Sequence, residues 1–178
     1  MKKGIVLSFG VVLVLVVGFF VSNSYIYTEK QGDSVADYKN IAYEINGENV
    51  QLVDGVAEIE IVPGSASKIV TRYFGNELLT DLNGDGREDV VFLVTQETGG
   101  SGTMFYVVSA LHIDGGYMGS DGYLLGDRVA PQNIEVSPNP RHANVIVANY
   151  ADREIGAPMT TQPSVGKSAY LKLDTMTM

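Results

Sequence analysis

Ile41-Ala42-Tyr43-Glu44-Ile45-Asn46-Gly47-Glu48-Asn49-Val50-Gln51-Leu52-Val53-Asp54-Gly55-Val56-Ala57-Glu58-Ile59-Glu60-Ile61-Val62 is the stretch that decides the fold class. Asn46-Gly47 and Asp54-Gly55 punctuate it, and both dipeptides accept the positive φ angles of type I′ hairpin turns. They separate short segments at Ile41 to Ile45, Val50 to Val53 and Val56 to Val62. Within the last, Ala57-Glu58-Ile59-Glu60-Ile61 alternates with a period of two, which sends the glutamates to water and the isoleucines to a core. This is the signature of a β-meander.

Working outward, the same punctuation continues. Further strands are expected at Lys68 to Phe74, Asp89 to Thr95, Thr103 to His112, Asn144 to Asn149 and Ala169 to Leu173, with Gly, Pro, Asn and Asp concentrated between them. The chain has 20 glycines in 178 residues and shows no long helical period beyond its N-terminus, so a turn-rich sheet protein is expected. The expected class is mainly β: an N-terminal transmembrane helix, then a single antiparallel β-sheet domain over 41–178. Spacing leaves the choice between a sandwich and a partly open barrel undecided.

Asp81-Leu82-Asn83-Gly84-Asp85-Gly86-Arg87-Glu88-Asp89 carries the sharpest chemical signal. Asp81, Asn83, Asp85 and Asp89 place side-chain oxygens at alternate positions, as a hard cation wanting six to eight oxygen ligands requires. Arg87 falls where such loops offer a backbone carbonyl, leaving its side chain free to point to solvent. Gly86 supplies the sharp turn. The metal expected is calcium, in a structural role, on Asp81, Asn83, Asp85, Arg87 and Asp89. The alternative is an acidic turn between two strands, favoured by Asn-Gly and Asp-Gly for local backbone reasons. An EF-hand is rejected, because its twelfth position needs a bidentate Glu before a helix, whereas Phe92 stands there inside the apolar run Val90-Val91-Phe92-Leu93-Val94.

The spacing Asp-x-Asn-x-Asp-Gly-x-x-Asp with an immediate apolar strand resembles the calcium loops of FG-GAP and VCBS-type repeats. A single copy is present, so the resemblance implies a calcium loop and not a complete propeller. Residues 67 to 170 also resemble uncharacterised membrane-anchored proteins of the bacterial envelope, which implies an envelope location and no particular reaction.

Location is read from the N-terminus. Lys2 and Lys3 precede the uncharged run Gly4 to Val21, which as a helix spans about 27 Å, close to the thickness of a bilayer core. Residues 1–22 are therefore expected to be an uncleaved transmembrane anchor or signal, N-terminus cytoplasmic, with the main domain extracytoplasmic. Residues 23–40 read as a stalk. The chain contains no cysteine, which excludes disulfides and a lipid-modified cysteine, and calcium is expected to take over the stapling role. Beyond the two lysines, ten basic residues face 21 acidic ones, a formal charge of −11 that argues against nucleic acid as partner. The end at Asp174 to Met178 follows a strand without a stop signal and reads as a truncated C-terminus.

Several enzymatic signatures fail on inspection. Gly166-Lys167-Ser168 lacks the first glycine of a P-loop, since Thr161 stands there, and Thr103 replaces the last glycine of a nucleophile elbow around Ser101. His112 and His142 have no acidic or cysteine partner at ligand spacing. Tyr117 and Tyr123, in a glycine-rich segment, suggest either a binding rim or one core and one surface tyrosine. Two function classes remain. The first is a membrane-anchored, calcium-stabilised β domain without catalytic residues or organic cofactor, used for adhesion or for binding a wall polymer or envelope partner. The second is a carboxylate-based wall-glycan hydrolase using Asp127, Asp152 or Glu154.

Overall fold

β5 (Asp89–Glu97) is apolar at every position from Val90 to Val94 because both of its faces are covered. The computed structural model describes residues 37–174, all within the unit that runs from Val35 to Met178. A 3-10 turn, Tyr38–Asn40, leads into β1 (Ala42–Ile45), β2 (Glu48–Gln51), β3 (Val56–Glu60) and β4 (Lys68–Thr80). After β5 come β6 (Met104–Ile113), β7 (Gly116–Gly119), β8 (Tyr123–Asp127), β9 (Ala130–Val136), β10 (Val145–Asp152) and β11 (Val165–Lys172).

These strands build three layers. The middle one is a six-stranded antiparallel sheet in the order β3-β4-β5-β6-β7, with β8 pairing the other half of β6. On one face Val90, Phe92, Val94, Tyr106, Val108 and Ala110 meet Tyr43, Ile45, Val50 and Leu52 of the β1–β2 hairpin. On the other, Val91, Leu93, Phe105, Val107 and Leu111 meet Ile134, Ile146, Ala148 and Ala169 of the three-stranded sheet β11-β10-β9. Phe92 is completely buried among Tyr38, Tyr43 and Tyr73, with ring centroids 5.5–5.6 Å away. Burying such a side chain contributes about 1.5–3 kcal/mol.

The turns follow the expected chemistry. Asn46 and Gly47 have φ of 56° and 79°, and Asp54 and Gly55 have 50° and 77°, so each pair supplies two consecutive positive φ angles. Ile45 then pairs Glu48 across the first turn, and Val53 pairs Val56 across the second.

Other expectations are corrected. Instead of a sandwich or a partly open barrel, the domain stacks three sheets, and none closes on itself. The glycine-rich segment of Tyr117 and Tyr123, absent from the expected strands, forms β7 and leads into β8. Its glycines are set by close approach, since a Cβ on Gly119 would lie 2.0 Å from the Ala42 carbonyl oxygen and one on Gly122 2.7 Å from Ile45 Cδ1. Residues 37–40, read as the end of a stalk, form a turn capped by Asp37 and packed through Tyr38 onto the core.

The membrane assignment is corrected as well. Among the described residues no helix is long and apolar enough to cross a membrane. The segment 1–22 on which the anchor was placed lies outside the described residues, as do 23–36 of the stalk. A single-pass topology, a cell-membrane location and the membrane as partner are thus supported by no helix among the described residues.

Candidate functional site

The acidic loop between β4 and β5 is held by its own hydrogen bonds. Asp81 accepts the backbone N–H of Gly84 at Oδ1 (2.6 Å) and of Gly86 at Oδ2 (2.9 Å), where both glycines have φ of 84°. Asn83 Oδ1 accepts from Asp85 N–H at 2.9 Å. Asp85 accepts the Arg87 N–H at 2.8 Å and the Arg87 guanidinium at 2.9 and 3.1 Å. Arg87 does not point freely to solvent as expected, because its other arm donates to Asp114 at 2.9 Å. That guanidinium holds the Asp85 carboxyl below the usual carboxylate range.

Asp89 has a different task from its neighbours. Fully buried, it accepts Leu82 N–H and His112 N–H, each at 2.8 Å. Among the described residues no group of three or more His, Cys, Asp or Glu side chains converges as a metal-holding set. The expectation of a calcium-binding domain is corrected to what the loop shows: Asp81, Asn83 and Asp85 accept from backbone amides and from Arg87, and Asp89 is buried on Leu82 and His112.

A second cluster brings together residues distant in sequence. Asp127, Asp152, Glu154 and Lys167 line an open cleft of about 290 Å³ beside the β10–β11 loop. Asp127 accepts from Thr103 N–H at 2.9 Å and from the Arg128 guanidinium at 3.0 and 3.1 Å. Asp152 accepts from Lys167 Nζ at 2.7 Å and Arg153 N–H at 2.7 Å. Arg153 clamps the loop, donating to the Thr161 carbonyl at 2.6 Å and the Arg128 carbonyl at 2.9 Å. Arg128 lowers the pKa of Asp127, and Lys167 that of Asp152. A glycosidase acid needs the opposite shift, so that it still carries its proton near neutrality. Neither aspartate meets that requirement.

Tyr117 is packed inward, stacked on His112 with centroids 5.1 Å apart, whereas Tyr123 is exposed on β8. His142 closes the β9–β10 loop, its ring nitrogens within 2.8 Å of Ser137 Oγ and 3.1 Å of Asn139 Nδ2. Gly166, Lys167 and Ser168 lie within β11, which rules out a P-loop there.

The third site was not foreseen. β1 and β2 are four residues each, while β4 runs for thirteen, so the hairpin covers only part of the sheet face. Ala57 is buried beneath it, but Ile59 and Ile61, on the same face, stay 41% and 46% exposed. With Ile45, Val50 and Ile69 they line a groove of about 330 Å³, rimmed by Glu48 and Glu60 and floored by Gln96, which donates to Thr71 Oγ1 at 3.2 Å. The alternation of Ala57 to Ile61 placed these isoleucines on the correct face. Only the hairpin's length reveals that they remain open.

Comparison of the chain with protein-family models, with curated proteins and with solved structures finds no match.

Proposed function

We propose that this chain is a non-catalytic binding domain that holds an aliphatic segment of a partner in the groove between the β1–β2 hairpin and β3. The carrying observation is the groove itself: a cavity of about 330 Å³ lined by isoleucines and valine, at the open end of an otherwise covered core. Contiguous exposed apolar surface rimmed by polar groups is the ordinary mark of an interaction site. The charged cleft supports catalysis less well, because its two best-placed carboxylates are each held ionised by a neighbouring cation.

Titrating the isotopically labelled full chain with the neutral peptide Ser-Ile-Thr-Ile-Ser-Val tests this reading. Amide shifts are expected at Val50, Ile59, Ile61, Ile69 and Gln96, and they should vanish in Ile61→Glu. Shifts centred on Asp127 and Asp152 would move the site to the cleft and refute the groove.

A further inference from the structure

The backbone of β3 says how a partner would sit. Tyr73 N–H donates to the Gly55 carbonyl at 2.7 Å and Ile61 N–H to the Ser67 carbonyl at 3.1 Å, while Ala57 and Ile59 pair Thr71 and Ile69 between them. In an antiparallel ladder successive residues alternate between turning both backbone groups toward the neighbour and turning both away. Residues 55, 57, 59 and 61 therefore face β4, and Val56, Glu58 and Glu60 face outward. Val56 confirms the phase: its N–H and C=O are both taken by Val53, at 3.1 and 2.9 Å, on the side away from β4. Beyond it the backbone groups of Glu58 and Glu60 meet no strand among the described residues.

Side chains add a preference. A strand laid on this edge would direct alternate residues to the groove beside Ile59 and the others to the row of Glu58 and Glu60. Lys68 lies 2.6 Å from Glu58, Arg72 also acts on Glu58 but is engaged by Glu97 at 3.4 Å, and Glu60 accepts only the backbone N–H of Gly64, at 2.8 Å, among the described residues. The carboxylate of Glu48 has no partner among the described residues. A second copy of the chain is a poor occupant, because two-fold pairing that keeps isoleucine over isoleucine also sets glutamate opposite glutamate.

Resting on the groove as the binding site, we propose that the free edge of β3 takes up an extended partner strand of alternating aliphatic and basic residues, adding it to the six-stranded sheet. Backbone hydrogen bonds at Glu58 and Glu60 supply register, the groove takes the aliphatic side chains, and the glutamates select lysine or arginine while deterring self-association.

The test uses the full chain and the peptide Lys-Ile-Lys-Val-Lys-Ile-Lys, with amide hydrogen exchange as one readout and affinity as the other. Binding should slow exchange at Glu58 and Glu60. It should weaken at least tenfold when glutamates replace the peptide's lysines, and at least tenfold when its alternate amides are N-methylated. Groove shifts without protection at Glu58 and Glu60, or equal affinity for the N-methylated peptide, would overturn strand addition while leaving the groove as the site. Equal affinity for the glutamate peptide would overturn the selection for basic residues. Absence of groove shifts with both this peptide and the neutral one would overturn both readings together.

Discussion

Asp89 Oδ1 accepts the backbone N–H of His112 at 2.8 Å from a fully buried position, tying the start of β5 to the end of β6. Its other oxygen holds Leu82, so one carboxylate anchors the acidic loop to the sheet. Asp89→Ala leaves two amide donors without this acceptor, at about 1–3 kcal/mol each when buried. Urea unfolding should show a loss of about 2–5 kcal/mol, with Asp89→Asn losing less because its amide oxygen still accepts. A loss below about 0.5 kcal/mol for the alanine variant would show that the carboxylate is dispensable.

Glu77 fastens the entrance of the domain. Its Oε1 accepts from the hydroxyls of Tyr38 and Tyr73, both at 2.5 Å, and lies 3.3 Å from Lys39 Nζ. The Tyr38 and Tyr73 hydrogen bonds, the largest causes, lower its pKa. A lowered carboxylate pKa contributes stability that is present above the unfolded value, about 4.3, and is lost as pH falls through the folded value. Glu77→Gln should therefore flatten the fall in stability below about pH 4.3, with a smaller difference from the parent in acid than at pH 7. Parallel pH profiles for the two proteins would contradict this.

The same cluster is readable from its alkaline side. Burial first, and then the Glu77 hydrogen bond, push the Tyr38 pKa up to about 12. A raised pKa means stability complete below the unfolded value, about 10, and lost as pH rises through the folded one. Ultraviolet titration should show phenolate forming at lower pH in Glu77→Gln than in the parent. An unchanged tyrosine titration would detach Tyr38 from Glu77.

Gly119 is where the hairpin meets the sheet. A methyl group there would meet the Ala42 carbonyl oxygen at 2.0 Å, a backbone atom with little room to yield. Gly119→Ala should cost about 1–3 kcal/mol or displace the hairpin, with near-ultraviolet dichroism reporting the change around Tyr43. Gly166→Ala is the control, with nothing within 4 Å of its added carbon. Equal stability of the two variants would refute the close approach.

These glycines also explain what was legible in the sequence. Val90 to Val94 announced a buried strand, and Asn46-Gly47 and Asp54-Gly55 announced their turns, because each effect is local. β7 and β8 fall outside the expected strands because Gly119 and Gly122 carry no strand signal, whereas they are glycine so that a hairpin almost eighty residues earlier can come close. Asp89 was aligned with Asp81 and Asp85 by spacing, yet burial separates it: Asp81 caps a surface turn, and Asp89 staples two strands. Pairing of Asp127 with its neighbour Arg128 is open to a sequence reading because the two are adjacent, whereas Lys167, which holds Asp152 ionised from fifteen residues away, is recognised by geometry. The groove depends on how far β1 and β2 extend over β3, a relation between elements that no single stretch of sequence contains.

The central claim is that the groove is the binding site, and the affinity of the neutral peptide Ser-Ile-Thr-Ile-Ser-Val for the parent chain, Ile61→Glu and Asp152→Asn tests it most directly. Placing a carboxylate among Ile45, Ile59 and Ile69 should weaken binding at least tenfold, while Asp152→Asn should bind as the parent does. Binding that survives Ile61→Glu, or that is lost in Asp152→Asn, would contradict the account.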